Sequence, residues 1–275
     1  MTGISLTLCA LLKSAAVKAG LRDPGPMAGL SPAAKGFVVA AAATGAPVVV
    51  VVPTDGAVEQ MVADVRFFLG ALDGSSDDEL RQRVIRFPSH EVDPYRGLSP
   101  HFDVVAARGR ALYTLCTGSV RVVVVAAAGL LPRLSSPERL LAAGIRLEIG
   151  SLLEPPDLGD LLADAGFTPE DPVDSHGEFC VRGGVVDFFP PGDEQPIRVE
   201  FAADRLESLR RFDPATQRST QSLDWAEVLP LRELFELEPE QGSVSLDVDR
   251  SAWLFDYLTG VAGLRFYLSE ADESR

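Results

Sequence analysis

The stretch EFCVRGGVVDFFPPGDEQPIRVEF, residues 178–201, decides how the middle of this chain folds. Two runs rich in β-branched and aromatic residues flank a break at residues 190–196, which holds three prolines and a glycine. Proline cannot donate a hydrogen bond to a sheet, and glycine favours turns. The stretch therefore predicts a β-hairpin in which residues 190–196 form the loop.

The hairpin brings two arginines together. Apolar residues alternate with Arg198 and Glu200 along the second run, residues 197–201. Because successive side chains of a strand point to opposite faces, Arg198 is expected on the face away from the core. Arg182 lies in the first run, beside a pair of glycines. Two guanidinium groups on one hairpin predict a compact, exposed, hydrogen-bonding patch that suits a partner.

The overall charge argues against nucleic acid as that partner. The chain of 275 residues has a formal net charge of -15 and contains lysine only at positions 13, 18 and 35. Affinity for nucleic acid comes largely from cations that displace counterions at the phosphates. A protein partner fits this composition better than DNA does.

The apolar runs, the N-terminus and the cysteines bear on the cellular compartment and on metal binding. No apolar run approaches the roughly 20 residues of a membrane span, and the N-terminus lacks a basic signal-peptide region. We therefore expect a cytoplasmic protein without a membrane contact. Cys9, Cys116 and Cys180 are odd in number and far apart, which indicates neither a disulfide framework nor a metal site.

The N-terminal part alternates strands and helices. Val48–Val52 and residues 122–125 are continuous apolar runs, typical of strands buried on both faces, and residues 83–87 resemble a third strand. Thr54 or Asp55 is placed to cap an intervening helix, and Ser99 with Pro100 is placed to open another through about Cys116. This order predicts a doubly wound α/β domain with a parallel sheet.

A smaller α+β domain is expected from about Gly150, with Asp157 capping its helix. Residues 205–212 are compatible with either a further strand or a helical turn. Beyond Leu229 the pattern changes again. The segments expected to be helical there are 231–237 and 253–258, and the expected strands are 243–248 and 264–268.

The segment GLSPAAKG, residues 29–36, partly matches the phosphate-binding loop G-x-x-x-x-G-K-[ST]. Gly29 and Lys35 are in register. Ala34 replaces the second glycine, and Gly36 replaces the hydroxyl residue that would ligate magnesium. The segment is thus either a degenerate nucleotide loop or an ordinary loop that opens a helix, and neither interpretation predicts a bound cofactor.

Several motifs together resemble a known domain. Arg-Gly-x-x-x-Asp-x-Phe-Pro begins at Arg182, x-Arg-x-Glu-Phe ends at Phe201, and Arg-Phe-Asp-Pro-x-x-Gln-Arg begins at Arg211. Over residues 150–228 the chain resembles the second domain of excinuclease B and of the N-terminal module of bacterial transcription-repair coupling factors. The resemblance implies a docking site for excinuclease A.

Three differences from excinuclease B favour a resemblance to the coupling factors. The phosphate-binding loop is intact in excinuclease B, whereas it is degenerate in this sequence. Residues 258–272 resemble a strand that ends in an Asp-Glu motif, but Ser269 stands in place of the aspartate. Tyr95-Arg96-Gly97-Leu98 passes directly into Ser99-Pro100, without the long aromatic hairpin implied to probe damaged DNA. The resemblance therefore implies a fragment of an ATP-dependent translocase whose further partners are RNA polymerase and DNA.

Carried onto this sequence, the resemblance gives a non-catalytic recruitment module. Its expected contacts with excinuclease A are Arg182, Arg198, Glu200, Phe201 and Ala202. The resemblance implies a second aromatic residue where this chain has Ala202. No catalytic or metal-binding residue is expected.

The expected domains are residues 1–149, a degenerate P-loop NTPase-like α/β domain; 150–228, the docking domain inserted into it; and 229–275, the start of the returning part of the first domain. Three alternatives remain at this level. One is an excinuclease B-like ATP-dependent repair enzyme, and another is an unrelated nucleotide- or sugar-binding α/β enzyme. In the third alternative, Arg182 and Arg198 are solvated charges of the hairpin and bind no partner.

Overall fold

A computed structural model describes residues 7–90, 92, 100–118, 120–191, 193–237 and 247–270. The chain forms two compact units. Unit 1 consists of Met1–Arg133 together with Ala252–Arg275, and unit 2 of Leu134–Ser251. The predicted limits of the docking domain, 150 and 228, both fall inside unit 2.

Helices and strands alternate in unit 1, and strands dominate unit 2. The helices are α1 (Leu8–Lys18), α2 (Pro32–Ala43), α3 (Asp55–Asp73), α4 (Asp77–Arg83), α5 (Phe102–Thr117), α6 (Pro137–Ala142), α7 (Pro155–Asp164) and α8 (Leu254–Leu258). The strands are β1 (Val48–Val52), β2 (Val84–Phe87), β3 (Val122–Ala126), β4 (Ile145–Glu148), β5 (Thr168–Pro169), β6 (Glu178–Arg182), β7 (Val185–Phe188), β8 (Ile197–Ala202), β9 (Arg205–Phe212), β10 (Ser219–Leu223), β11 (Trp225–Val228) and β12 (Arg265–Leu268). A short 3-10 helix, Ala127–Leu130, follows β3.

Unit 1 is built on a four-stranded sheet in the order β12-β1-β3-β2, in which the neighbouring strands are parallel. Both faces of β1 are covered, since Val49 and Val50, which point to opposite faces, are each 1% exposed. Helices α2 and α3 contribute to the core on the Val50 face. On the other face, Arg108 of α5 lies over the ring of Phe87 at 4.1 Å. The predicted α/β fold with a parallel sheet is confirmed.

Of the two helix starts predicted in unit 1, that of α3 is confirmed and that of α5 is wrong. Thr54 caps α3, since its side chain accepts a hydrogen bond from the backbone N–H of Ala57 at 3.3 Å. The prediction that Ser99 and Pro100 open α5 is wrong, because the helix begins at Phe102. His101 is its N-cap and accepts the N–H of Asp103 through Nδ1 at 3.3 Å. Ser99 itself, and the predicted junction from Tyr95, lie outside the described residues.

Unit 2 contains a six-stranded sheet in the order β10-β9-β8-β7-β6-β5 and a two-stranded sheet of β11 and β4. Helix α7 packs on one face of the large sheet. Gly159 makes this contact close, because a Cβ atom there would stand 2.8 Å from Val181 Cγ2. The rings of Phe167 and Phe188 meet edge to face at 6.4 Å in this core.

The predicted two-stranded hairpin over residues 178–201 is wrong in one respect, because the structure has three strands there. The first run divides into β6 and β7, joined by a tight turn at Gly183 and Gly184. Gly183 has φ +57°, a conformation that residues with a Cβ adopt reluctantly but that two-residue hairpin turns require. Residues 190–196 connect β7 to β8, as predicted.

Among the other predictions for the second half of the chain, some are confirmed and others are wrong. Residues 205–212 form the strand β9, and the predicted helix and strand near the end are α8 and β12. The N-cap residue of α7 is Glu154, whose side chain makes no capping hydrogen bond, and Asp157 lies in the first turn. Residues 231–237 are not helical, because the backbone there pairs with a distant segment, as in the bond from the Leu237 N–H to the Asp247 carbonyl at 2.8 Å. Val248 makes an isolated bridge, and residues 243–246 of the predicted strand are outside the described residues.

The two ends of unit 2 are tied together by a small polar cluster. Ser135 Oγ donates to the carbonyl oxygen of Asp249 at 2.8 Å. The buried Asp249 carboxylate accepts the N–H groups of Ser136 at 2.9 Å and Ser251 at 3.0 Å. Burial opposes ionisation of Asp249, but these hydrogen bonds and Arg139 outweigh it and hold its pKa below the usual value.

Candidate partner-binding surface

Strands β6, β7 and β8 carry Arg182, Val185, Asp187, Arg198 and Glu200 on one face of the large sheet, here called the arginine face. The strand register places them side by side. Arg182 pairs with Val185 across β6 and β7, and Asp187 pairs with Arg198 across β7 and β8. Directly paired residues of antiparallel strands point to the same face. The side chains between them point into the core.

Asp187 organises the arginine face, although its side chain has no exposed surface. Its Oδ1 accepts a hydrogen bond from Arg198 Nε at 2.7 Å, and its Oδ2 accepts one from Arg198 Nη2 at 2.8 Å. Oδ2 also accepts a bond from Arg182 Nη2 at 2.9 Å. A buried carboxylate needs such donors, and a two-point contact with a guanidinium is among the strongest that proteins make.

Arg198 is held on its other sides by the end of β9 and by the segment that follows it. Its guanidinium lies 4.5 Å from the centre of the Phe212 ring. It also donates to the backbone oxygen of Gln217 at 3.3 Å and to the Gln217 side chain at 3.2 Å. The hydrogen bonds to Asp187 raise the pKa of Arg198, so this side chain stays charged.

The expected exposed patch of two guanidinium groups is therefore present only in part. The side chain of Arg198 is only 19% exposed, and its fork of donors is already directed at Asp187. Arg182 is 45% exposed and spans two carboxylates, Asp187 and Asp171, the latter at 3.1 Å. Arg182 is thus the more accessible of the two guanidinium groups, and Arg198 is the more firmly held.

Glu200 contacts the neighbouring strand β9. It accepts a hydrogen bond from Ser208 Oγ at 2.5 Å and lies 3.7 Å from Arg210 Nη2. Its side chain is 38% exposed. Together with Arg182, Val185, Arg198 and Gln217, it lines a shallow, open pocket.

The remaining two predicted contact residues are separated by the alternation of β8. Phe201 is buried, at 9% exposure, and points to the core face. Ala202 is exposed at the end of the strand, on the same face as Arg198 and Glu200. The structure thus groups Arg182, Arg198, Glu200 and Ala202, and places Phe201 behind them.

Among the residues around the two arginines that sequence reasoning missed are Asp171, Phe212 and Gln217. A signal for two of them was present, because Phe212 and Gln217 belong to the motif that begins at Arg211. Asp171 had no such signal, since it reaches Arg182 from the segment after β5. When Asp171 is included, the carboxylates of this surface equal its guanidinium groups in number. The carboxylates are Asp171, Asp187 and Glu200, and the guanidinium groups are those of Arg182, Arg198 and Arg210.

The predicted degenerate loop lies in unit 1 and leads into α2. Ser31 caps this helix, so the N–H groups of Ala34 and Lys35 bond to Ser31 at 3.3 and 3.0 Å. Lys35 Nζ donates to the backbone oxygen of Glu270 at 2.8 Å. Gly36 is buried, and a Cβ atom there would stand 2.4 Å from Asp64 Cβ of α3. A hydroxyl residue does not fit at Gly36 in this packing. Gly29, before the helix, has φ +71°.

Metal-binding clusters and membrane-spanning helices are both absent from the part of the chain that the structure describes. No group of three or more histidine, cysteine or carboxylate side chains suitable for a metal ion occurs among those residues. None of the helices there is both long enough and apolar enough to cross a membrane.

The first comparison with known proteins concerns unit 2. Residues 145–234 match the family described as UvrB interaction domain, and this range contains the arginine face. Over most of its length the chain is similar to transcription-repair-coupling factors, as its motifs predicted.

Three such relatives illustrate the extent of the similarity. The protein of Myxococcus xanthus is 35% identical over 209 residues, 75% of this chain and 17% of the relative. That of Escherichia coli (strain K12) is 31% identical over 172 residues, 62% of this chain and 14% of the relative. That of Bacillus subtilis (strain 168) is 27% identical over 164 residues, 60% of this chain and 14% of the relative. The chain thus spans about a sixth of these relatives or less.

Proposed function

We propose that unit 2 is a docking module for excinuclease A and that the arginine face is the docking site. In this role the module recruits nucleotide-excision repair to a stalled RNA polymerase. One observation carries the proposal: residues 145–234, the UvrB interaction domain, contain every member of the arginine face. The relatedness to transcription-repair-coupling factors supports the link to repair.

The chemistry of the arginine face fits a protein partner. Arg182 is exposed and fixed by two carboxylates, so little side-chain freedom is lost when a partner binds. Glu200 lines the same pocket, is 38% exposed and adds an acceptor. The balanced charge of this surface, on a chain of net charge -15, suits a polar protein surface better than a phosphate backbone.

Unit 1 is proposed to be a degenerate P-loop NTPase-like domain into which unit 2 is inserted. Its segments before residue 134 and after residue 251 support the insertion, since β12 pairs with β1. The bonded N–H groups at Ala34 and Lys35 and the packing of Gly36 on α3 support the loss of nucleotide binding. Nucleotide, RNA polymerase and DNA contacts are then functions of a larger parent protein.

The docking site is tested by calorimetric titration of excinuclease A with the chain. Arg182→Ala should weaken binding at least about fivefold, since exposed interface arginines are frequent hot spots. Arg146→Ala is the matched control, because Arg146 is also exposed and pairs with a carboxylate, Glu148, in unit 2. Equal affinity of wild type, Arg182→Ala and Arg146→Ala would exclude the arginine face as the site.

The second candidate is an ATP-dependent repair enzyme similar to excinuclease B. Lys35 at the position of the nucleotide-binding lysine is the observation in its favour. Titration of the chain with ATP and magnesium distinguishes the two functions. We expect no heat of binding, whereas saturable binding that is lost in Lys35→Ala would establish the enzyme instead.

A further inference from the structure

The arginine face continues beyond β6, β7 and β8, the strands that define it, across β9. Ala202 of β8 pairs with Arg205 of β9, and Arg205 in turn makes an antiparallel bridge to Leu152. Paired residues point to the same face of a sheet. Leu152 therefore lies on the same face as Arg198, Glu200 and Ala202, two strand spacings or roughly 10 Å from Ala202.

Leu152 is an exception on this face because it is large, apolar and exposed. Its exposed fraction is 69%, whereas Val185 is half-buried between the charged residues. Single exposed leucines are common and need no explanation by themselves. Leu152 lies in the row of paired residues that also contains Ala202 and Arg205, and the neighbouring row contains Glu200 and Ser208. It therefore belongs to the surface that is proposed to bind a partner.

The backbone holds Leu152 in a fixed position. The N–H of Leu153 donates to the Asp204 carbonyl at 2.8 Å, and the N–H of Leu206 donates to the Ser151 carbonyl at 3.0 Å. Arg205, between Ala202 and Leu152, is itself bound, since its Nη1 donates to the Gly150 carbonyl at 3.0 Å. A side chain on a fixed backbone loses less freedom on binding than one on an unpaired loop.

We infer that Leu152 is the apolar anchor of the docking surface and inserts into an apolar depression of excinuclease A, while Arg182, four strand spacings away on the same face, contacts carboxylates of the same partner. This inference rests on the docking function proposed above. Interfaces of this kind combine a few apolar anchors with polar contacts around them. The polar contacts are present at Arg182 and Glu200, and Leu152 supplies the apolar part within the same face.

The test is a calorimetric titration of excinuclease A with four forms of the complete chain: wild type, Leu152→Ala, Arg182→Ala and Leu161→Ala. Leu161 is the matched control, because it is 40% exposed but lies on α7, which covers the opposite face of the sheet. Leu152→Ala should weaken binding about tenfold, and Leu161→Ala should leave the affinity unchanged. The loss at Leu152 should be equal at low and high salt, whereas the loss at Arg182 should shrink as salt screens its charge.

The outcomes separate the inference from the function on which it rests. Wild-type affinity of Leu152→Ala, together with weakened binding of Arg182→Ala, would overturn the inference and leave the proposed function intact. Equal losses for Leu152→Ala and Leu161→Ala would also overturn it. Weakened binding of Leu152→Ala alone would support the anchor and reject Arg182 as a contact. Absence of wild-type binding would reject both proposals.

A gain of affinity provides a second check that does not depend on removing a side chain. Ala202→Phe enlarges the apolar surface in the same row as Leu152, on the other side of Arg205. In the Leu152→Ala background it should restore part of the lost affinity. No recovery in that background would contradict an apolar contact along this row.

Discussion

The carboxylate of Asp187 accepts two hydrogen bonds from Arg198, from Nε at 2.7 Å and from Nη2 at 2.8 Å, although the Asp187 side chain is completely buried. The contact joins the central strands β7 and β8 at directly paired positions. Arg198 therefore contributes first to the stability of the sheet, and the more exposed Arg182 is the better probe of binding.

Replacing Asp187 by alanine should destabilise unit 2 strongly. The change leaves the guanidinium of Arg198 largely buried without its main acceptor, which costs on the order of 3 kcal/mol. Urea unfolding measures this loss. Asp171→Ala is the control, because Asp171 is 55% exposed and its removal should change the free energy of unfolding by less than about 1 kcal/mol. Similar values for the two variants would contradict the proposed role of Asp187.

A double-mutant cycle should show that Asp187 and Arg198 act as a pair. Arg198→Ala also leaves a buried charge, because only Arg182 then remains to bind Asp187. The double variant removes both charges and should be more stable than the sum of the single changes predicts, by about 1–3 kcal/mol. Additive unfolding free energies would mean that the two side chains are not coupled in solution.

Gly36→Ser should destabilise unit 1 without creating a nucleotide site. The new Cβ atom would stand 2.4 Å from Asp64 Cβ, so α2 and α3 would have to separate, at a cost of roughly 1–3 kcal/mol. Ala33→Ser, an exposed position of the same helix, should change stability by no more than about 0.5 kcal/mol. Urea unfolding and titration with ATP and magnesium report the two properties. Saturable nucleotide binding by Gly36→Ser would refute the packing argument.

Acid should weaken the cluster that ties the ends of unit 2 together. The folded pKa of Asp249 is depressed, so its contribution is complete above the unfolded pKa of about 3.9 and is lost as the pH falls through the lower, folded value. Asp249→Asn should therefore be less stable than wild type at neutral pH. This difference in unfolding free energy should shrink below about pH 4. A difference that stays constant under acid conditions would show that the charge of Asp249 is not involved.

The sequence by itself determined much of this protein. Apolar runs such as Val48–Val52 predict strands buried on both faces, because no other local structure accommodates five consecutive valines so well. The alternation over residues 197–201 placed Arg198 and Glu200 on one face of β8, since side chains alternate with period two. The motifs around Arg182 and Arg211 identified the relatives that the comparisons confirm.

Tertiary structure decided the details on which the site depends. Residues 231–237 have a helical pattern but pair with Asp247 and Val248, and Gly183 turns the chain back one strand earlier than expected. The sequence could not show that Asp187 holds both arginines, or that Leu152 stands in the row of Ala202. Local pattern fixes which face of its own element a side chain occupies. Which distant strand stands beside it depends on long-range pairing and packing, which local periodicity does not encode.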